Sequence, residues 1–264
     1  MRKTVLIVIL IIAMVSVTGC TDSGESSSGE GSMQNGEHVR FLSIEGDVEK
    51  NVTFNSGTPV KNDSAMLGEK DFEGTPITEF IAEAGISGNP QTIYMFSSGD
   101  GFVSSIDYKG AEDVYIYFSE LKGWSTVAPN HPPAASGMDI DRIVLVSENS
   151  EVGLHIVDQN GNKSTVSMGE MYMKPQTATF NLDGTTEKDS DGKSRSVSLY
   201  TRQYSLSLSE IDKTYAGVGF VVATKSGDKY LTDGAGDFIL YRQKINYREA
   251  TGDIYEDVEE IQIR

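Results

Sequence analysis

Short runs of alternating or uniformly apolar residues, separated by turns rich in Gly, Asn and Asp, fill the chain from Val39 onward. Alternation with a period of two is typical of β-strands, and the turn residues mark where the chain reverses. The clearest runs predict strands at Arg40–Val48, Thr92–Ser97, Gly101–Tyr108, Val114–Phe118 and Ile140–Val146. The pattern therefore restricts this part of the chain to a β-rich fold.

One amphipathic helix is predicted among these strands. Thr75 is a candidate N-cap, Pro76 suits a first helical turn, and Gly85 is able to end the helix. The residues that share its apolar face are Ile77, Phe80, Ile81 and Ala84. A β-rich chain with one short helix of this kind is expected to have an α+β fold.

The second half of the chain repeats the order of these elements. Four pairs of segments correspond: Phe41–Gly46 with Leu154–Asp158, Glu73–Phe80 with Tyr204–Ile211, Tyr94–Asp100 with Val221–Asp228, and Asp139–Leu145 with Asp257–Ile263. Ser207 and Glu210 also have the spacing of a helical capping box. We interpret this order as a tandem duplication of two degenerate repeats, at 40–149 and 152–264. The alternative is that turn and strand echoes arise in any β-rich chain.

An acidic stretch in the second half contains Asp183, Glu187, Asp189 and Asp191. Aligned as an EF-hand calcium loop from Glu187, it places Ser198 where a bidentate glutamate is required. The EF-hand motif therefore fails, and the stretch is interpreted as a solvated hairpin insertion.

The first 19 residues have the pattern of an export signal. Arg2 and Lys3 form a basic start, Val5–Val17 is almost wholly apolar, and two small residues precede Cys20. This junction resembles the lipobox of prokaryotic lipoproteins. The resemblance implies that 1–19 is a signal peptide, that Cys20 carries the lipid, and that the mature protein is extracytoplasmic, anchored to the outer face of the cell membrane. A plain signal peptide or an uncleaved anchor is the alternative, although the apolar run is shorter than the roughly 18–20 residues of a spanning helix.

Residues 20–39 are predicted to form a flexible tether rich in Ser, Gly and Glu. The stretch has almost no apolar side chain to bury, and a coil of this length has a reach of about 25 Å. Cys20 is the only cysteine of the 264 residues. We therefore expect no disulfide, no cysteine-ligated metal and no thiol nucleophile in the exported part.

The chain is strongly acidic, with 22 basic and 39 acidic residues and a net charge of −17. Removal of Arg2 and Lys3 with the leader leaves 20 basic residues and a net charge of −19. Such a charge disfavours nucleic acid and anionic lipid headgroups as partners. It is explained by solubility, or alternatively by binding of cations or basic partners. The expected partners are the membrane, through the lipid anchor, and an unidentified protein or small-molecule ligand.

The first repeat carries four short motifs in a fixed order: Ile44–Val48 (IEGDV), Phe72–Ile81 (FEGTPITEFI), Ser97–Val103 (SSGDGFV) and the closing strand Asp141–Val146. In this order they resemble the molybdopterin-binding domain of sulfite-oxidase-type enzymes. The resemblance covers roughly 110 residues, with a weaker echo in the second repeat. It implies a β-rich fold built from two such repeats, a pterin cofactor that carries molybdenum, and oxidoreductase activity.

Two departures from that family concern the cofactor. Its cysteine ligand to molybdenum precedes the helix, where Ser64–Asp71 (SAMLGEKD) has no cysteine, and hydroxyls and thioethers are poor substitutes. Its arginine-bearing cofactor segment corresponds to Asn130–Ala135 (NHPPAA), without arginine. We therefore expect a non-catalytic binding or interaction module without a cofactor. The alternative is a molybdopterin-dependent oxidoreductase subunit that retains the pterin, and a weaker third hypothesis is an acidic cation-binding surface protein.

The candidate binding residues lie in loops of the first repeat: Ser98, Gly99, Asp100, Gly101, Trp124 and His131. Trp124 and the prolines near it are typical of residues that line a groove, although they are also typical of a core edge. His38, His131 and His155 lack the spacing of a metal site or a catalytic triad. We therefore predict no catalytic residue and no metal ligand.

Overall fold

β-strands dominate the computed structural model of the chain, which describes residues 41–58, 63–67, 70–97, 102–120, 122–174, 177–188 and 194–264. Side chains are described for all of these except 63–67, 70, 72, 177–188 and 194–203. Within the described ranges the helices are few and short. The β-rich class predicted from the sequence is therefore confirmed.

The described residues of the first half form nine strands in two sheets. In chain order its elements are β1 (Phe41–Gly46), β2 (Val52–Asn55), β3 (Asp63–Leu67), β4 (Lys70–Pro76), α1 (Ile77–Ala84), β5 (Asn89–Ser97), β6 (Val103–Asp107), a 3-10 helix (Tyr108–Asp113), β7 (Tyr115–Ser119), β8 (Gly123–Val127), a second 3-10 helix (Pro133–Ala135) and β9 (Ile140–Glu148). The first main sheet has the strand order β2-β1-β9-β5-β6, and the first side sheet has the order β3-β4-β7-β8.

The second half also builds two sheets. Its elements are β10 (Gly153–Val157), β11 (Lys163–Ser167), α2 (Met168–Met173), β12 (Thr177–Lys188), β13 (Ser194–Ser207), α3 (Leu208–Ile211), a 3-10 helix (Lys213–Tyr215), β14 (Phe220–Thr224), β15 (Lys229–Thr232), β16 (Gly236–Tyr241), β17 (Lys244–Glu249), β18 (Ile254–Tyr255) and β19 (Val258–Ile263). The second main sheet has the order β11-β10-β19-β14-β15, and the second side sheet has the order β12-β13-β16-β17-β18.

The two main sheets have the same connectivity. In each, the first strand of the half pairs in parallel with the last strand, β1 with β9 and β10 with β19, and the remaining neighbours are antiparallel. In each half, a hairpin of the side sheet leads into a short helix and then into the strand that pairs antiparallel with the last strand of the half, β5 or β14. The long hairpin β12–β13 lies where the acidic insertion is predicted.

The predicted helix is confirmed, but its predicted cap is not. The helix α1 begins at Ile77, Pro76 occupies the N-cap position, and no side chain caps the helix. The Ile77 N–H donates instead to the carbonyl of Val114, 2.8 Å away, so the residue that precedes β7 satisfies this helix end. Gly85 ends the helix with a φ of +73°, as a glycine permits. In the second half, the predicted capping box of Ser207 and Glu210 is present at α3.

The first main sheet is buried on both faces because the two hydrophobic cores lie on opposite sides of it. On β9, Ile143 and Leu145 belong to the first core and Val144 belongs to the second. On β5, Met95 faces the first core and Phe96 the second. Residues 36–264 accordingly form one compact unit. Among the described residues, none of the helices has the length and apolar character that a membrane crossing needs.

A buried ion pair lies where the first main sheet meets the second half. The Arg142 Nε atom is 3.4 Å from Glu45 Oε1, and both side chains are almost completely buried. The Tyr172 hydroxyl, from α2, donates a hydrogen bond to Glu45 Oε2. The Arg142 guanidinium lies over the Tyr204 ring at 4.8 Å and over the Tyr172 ring at 5.4 Å. Burial, followed by the charge of Glu45, raises the pKa of the Tyr172 hydroxyl well above its ordinary value.

A second buried carboxylate, Asp47, fastens the start of α2. Its oxygens accept hydrogen bonds from the Ser147 N–H at 2.7 Å, the Gly169 N–H at 3.0 Å and the Ser167 hydroxyl at 3.1 Å. Burial raises the pKa of Asp47, and the donated hydrogen bonds act in the opposite direction. Asp47 thus joins the first half to the helix α2 of the second through its side chain.

Candidate functional site

The predicted binding loop, Ser98–Gly101, lies outside the described residues, and so does the predicted lipidation site Cys20. The residues that flank the loop are described: the Ser97 N–H donates to the Phe102 carbonyl at 2.9 Å, and Phe102 is 46% exposed.

The second half shows how a loop of the same sequence type folds. Ser226, Gly227 and Asp228 connect β14 to β15, in the position that Ser98–Asp100 has between β5 and β6. The Thr224 N–H donates to the Asp228 carbonyl at 3.0 Å, and the Ser226 hydroxyl donates to the Asp228 carboxylate at 2.7 Å. Gly227 has a φ of +90°. In this loop the Ser, Gly and Asp residues serve the hairpin turn itself.

Trp124 is fully buried. Its side chain therefore lies in the core and does not line a groove. Its ring packs edge-on against Phe118, with centroids 5.4 Å apart, and against Phe80 at 6.0 Å. Aromatic pairs of this geometry stabilise a core. As a candidate binding residue Trp124 is therefore corrected: its side chain supports the first core and offers no surface to a ligand.

His131 is half-buried and ties the proline-rich loop to the 3-10 helix before β7. Its Nε2 atom is 2.8 Å from the Gly110 carbonyl oxygen. A carbonyl only accepts, so the Nε2 atom carries the proton of this hydrogen bond. The neighbouring Asn130 side chain donates to Asp113 Oδ2 at 2.5 Å. Both contacts hold the loop in place, and the fully buried Trp124 does not share an exposed surface with His131.

A cleft of about 460 Å³, which the sequence did not indicate, lies on the open face of the second main sheet. We call it the β10–β11 cleft. Its walls are the connection between the two halves and residues of β10 and β11, and its lining residues are Asn149, Ser150, Glu151, His155, Lys163, Ser164 and Thr165. The cleft has the size of a small-molecule site.

Strand pairing fixes the side chains of this cleft. His155 lies opposite Thr165 in the β10–β11 ladder, and its Nδ1 atom is 2.9 Å from the Thr165 hydroxyl. Lys163 Nζ lies 2.8 Å from the Glu260 carboxylate of β19. The hydrogen bond from Lys163 lowers the pKa of Glu260 below its ordinary range. The cleft thus presents hydroxyl, imidazole, ammonium and carboxylate groups on a paired β-ladder.

The connection at one wall of the cleft is also held firmly. The Ser150 hydroxyl donates to Ser87 Oγ at 3.1 Å and accepts from the Val152 N–H at 3.2 Å. The same residue contacts the buried Asp47. The wall therefore belongs to the junction of the two halves, and the shape of the cleft depends on that junction.

The resemblance implies a pterin cofactor that carries molybdenum, so we compared the side chains of the first half with the ligands that such a cofactor needs. Arg142, the one arginine among the described residues of the first half, is buried in its ion pair with Glu45. In the segment Asn130–Ala135, the side chain of His131 is hydrogen-bonded to the Gly110 carbonyl. The described residues contain no cysteine, and they hold no cluster of three or more His, Cys, Asp or Glu side chains suited to a metal ion. These residues do not fit the thiolate and guanidinium set that such a cofactor requires.

Comparisons with known proteins give little further guidance. No protein-family model matches the chain, and no curated protein matches it. Among solved structures, the chain is similar to the sulfane dehydrogenase SoxCD from Paracoccus pantotrophus, with 13% sequence identity and a TM-score of 0.36 over 81% of this chain and 68% of that chain. A likeness at this level carries neither a fold nor an activity over to this protein.

Proposed function

We propose that this chain is an extracytoplasmic binding protein, anchored to the membrane by a lipid on Cys20, whose recognition site is the β10–β11 cleft. The observation that carries the proposal is the cleft itself, an open volume of about 460 Å³ lined by polar side chains on a paired β-hairpin. Small-molecule sites are concave and orient their ligands with a few fixed polar groups, and this cleft differs from most of them in that its lining is polar throughout.

The partners of the lining side chains favour recognition over catalysis. Thr165 orients His155, and Glu260 holds Lys163. The 2.9 Å spacing of His155 and Thr165 also suits a base beside a hydroxyl nucleophile, but among the described residues no carboxylate is hydrogen-bonded to the imidazole to orient it, as a catalytic triad requires. On this ladder the hydrogen bond fixes the orientation of the His155 ring.

The ligand that fits the cleft is a small polar molecule with several hydrogen-bonding groups. The Lys163 ammonium and the Thr165 hydroxyl donate, and the carboxylate of Glu151 accepts. A mixed set of donors and acceptors favours an uncharged or zwitterionic ligand over a strongly anionic one, which the negative chain repels.

The alternative is a molybdopterin-dependent oxidoreductase subunit. It is supported by the order of the motifs in the first repeat and by the equal connectivity of the two main sheets, which suits a duplicated unit. The side chains described above argue against it, because neither the cysteine ligand of molybdenum nor the arginine that contacts the cofactor is present at the positions that correspond to them in the resembled family.

A thermal-shift screen tests the cleft as a recognition site. The protein from residue 20 onward, with Cys20→Ser, is heated with a panel of monosaccharides, amino acids and nucleosides. A ligand of the cleft raises the melting temperature of this protein and of the control Lys229→Ala, an exposed lysine on β15 of the same sheet. The shift disappears in His155→Ala and Lys163→Ala. Shifts that persist in both variants, or the absence of any shift across the panel, would contradict the proposal.

A further inference from the structure

Three tyrosine rings lie nearly parallel at one edge of the second half. Tyr247 and Tyr255 have ring centroids 6.3 Å apart and an interplanar angle of 10°, and Tyr255 and Tyr230 have centroids 4.2 Å apart at 17°. We call these residues the tyrosine stack. Tyr247 is fully buried and Tyr230 is 37% exposed, so the stack runs from the second core to the solvent.

The strand order explains how these rings meet. Tyr230 lies on β15, the edge strand of the second main sheet, and Tyr255 lies on β18, the edge strand of the second side sheet. Tyr255 pairs with Tyr247 across the β17–β18 ladder, and Tyr230 pairs with the core residue Val222. The side chains of Tyr230 and Tyr255 therefore meet in the gap between two sheet edges, and their rings close it.

Carboxylates surround the stack. Burial, followed by the charges of Glu249 and Asp253, raises the pKa of the Tyr255 hydroxyl above its ordinary value, so both carboxylates lie near the stack. The Thr251 hydroxyl lies 3.3 Å from Glu249 Oε2 and 3.2 Å from Asp253 Oδ2, so the turn between β17 and β18 holds the two carboxylates close together. The exposed end of the stack is thus an aromatic surface in a negative field.

This combination suits an organic cation better than a metal ion or an anion. The face of an aromatic ring is negative and attracts a guanidinium or an alkylated ammonium within about 6 Å of its centroid. Arginine and quaternary ammonium groups are weakly hydrated and stack on rings at low cost. Ring faces supply no ligand to a metal ion, and neighbouring carboxylates repel anions.

We propose that the exposed end of the tyrosine stack, the ring of Tyr230, binds an organic cation. The cation lies against the side of the Tyr230 ring that does not stack on Tyr255, and the carboxylates of Glu249 and Asp253 in the adjacent β17–β18 turn balance its charge. This site is separate from the β10–β11 cleft: it lies at the β15 and β18 edges, whereas the cleft lies at the β10 and β11 side of the main sheet. The cation comes either from a small molecule with a trimethylammonium group or from an arginine of a basic polypeptide.

Two cationic probes and one neutral probe test the site by titration calorimetry and tyrosine NMR. The probes are choline chloride, an arginine amide acetylated at its amino terminus, and 3,3-dimethylbutanol, which has the shape of choline without its charge. We expect at least one cation to bind about fivefold or more tightly than the neutral probe. Preference for choline identifies a small alkylammonium ligand, and preference for the arginine amide identifies a basic polypeptide.

Variants separate this role from a purely structural one. Tyr230→Leu keeps the site filled with an apolar side chain but removes the ring, and weakens cation binding about fivefold or more. Tyr230→Phe retains the ring face and retains binding. The control Leu231→Ala, a 61% exposed neighbour whose side chain alternates to the other face of β15, leaves binding unchanged. Equal affinity of both cations and the neutral probe, unchanged binding in a folded Tyr230→Leu, or no binding of either cation would overturn the proposal.

Discussion

The Tyr172 hydroxyl of the second half donates a hydrogen bond to the buried Glu45 carboxylate of the first half. The Ser43 hydroxyl donates to the other oxygen of the same carboxylate at 2.6 Å, and Arg142 lies beside it. A buried carboxylate is stable in a protein only when donors and an opposite charge surround it. Glu45 therefore links the two halves, because its donors come from both of them.

Replacing Tyr172 with phenylalanine removes one of these donors with little change in volume. Hydrogen bonds to charged groups are worth about 1.5–3 kcal/mol, so Tyr172→Phe is expected to lower the free energy of unfolding by about that amount. Urea denaturation measures the change. Tyr115→Phe, on a half-buried tyrosine of β7 in the first half, serves as the control and should change stability by less than about 0.5 kcal/mol. Equal stability of the two variants would show that the Tyr172 hydroxyl does not support the junction.

The buried Asp47 predicts a pH-dependent contribution to stability. The pKa of Asp47 in the folded protein is raised above its ordinary value of 3.8. At pH values between 3.8 and this raised pKa, the folded state therefore binds more protons than the unfolded state. The contribution is complete below pH 3.8 and decreases as pH rises through the folded pKa. The amide of the Asp47→Asn variant does not titrate, so the stability of the wild type relative to the variant should be greatest at low pH and fall over this window.

The same substitution also costs stability at neutral pH. An asparagine presents an NH₂ group toward one of the donors from Ser147, Ser167 or Gly169, and the loss of an accepted hydrogen bond there costs about 1–3 kcal/mol. Urea titrations of both proteins at several pH values give the comparison. A constant difference across the window would contradict the raised pKa of Asp47.

Gly169 is required by the close approach of α2 to the first half. A Cβ atom there would overlap the Leu145 carbonyl oxygen and would lie 2.6 Å from Asp47 Oδ2. Gly169→Ala is therefore expected to destabilise the protein by about 1–3 kcal/mol or more, although alanine is the better helix former. Gly57→Ala is the matched control, because its nearest new contact is the Asn55 side chain at 3.4 Å. Calorimetric melting temperatures that fall equally in both variants would refute the steric argument.

Local patterns in the sequence predicted β1, β5, β6, β7 and β9 and the helices α1 and α3, but not α2 or most strands of the two side sheets. The alternation around Ile143 predicts β9, and the spacing of Ser207 and Glu210 predicts the capping box of α3, because both depend on residues close in the chain. Thr75 was wrong as a cap because the Val114 carbonyl, a distant group, already accepts from the first turn of the helix.

The sites depend on contacts between distant residues, which a single sequence does not reveal. Glu45 and Tyr172 are 127 positions apart, and the β10–β11 cleft forms only because the connection near Ser150 lies against the outward face of a paired hairpin. His155 lacks the spacing of a metal site or a catalytic triad, and nothing near it in the sequence signals a cleft. Trp124 has a residue type that suits a groove and a core equally, and its burial decides between them.

The lipid anchor makes a separate prediction at Cys20. Cys20→Ala should leave the precursor unprocessed or release the protein from the membrane, because the acylated sulfur is lost. Cell fractionation and labelling with a radioactive fatty acid measure the outcome, with Ser23→Ala in the tether as the control. A Cys20→Ala protein that is still cleaved, still requires detergent and keeps its mobility would contradict the lipoprotein assignment.

The most direct test of the proposed function is the molybdenum content of the exported protein. The Cys20→Ser protein from residue 20 onward is expressed in a host that makes the molybdenum cofactor, purified, and analysed for metal together with its circular dichroism. The account predicts a folded protein with far less than one molybdenum atom per chain and no sulfite oxidation. About one molybdenum atom per chain, accompanied by pterin absorbance, would contradict the binding-protein assignment and support the oxidoreductase alternative.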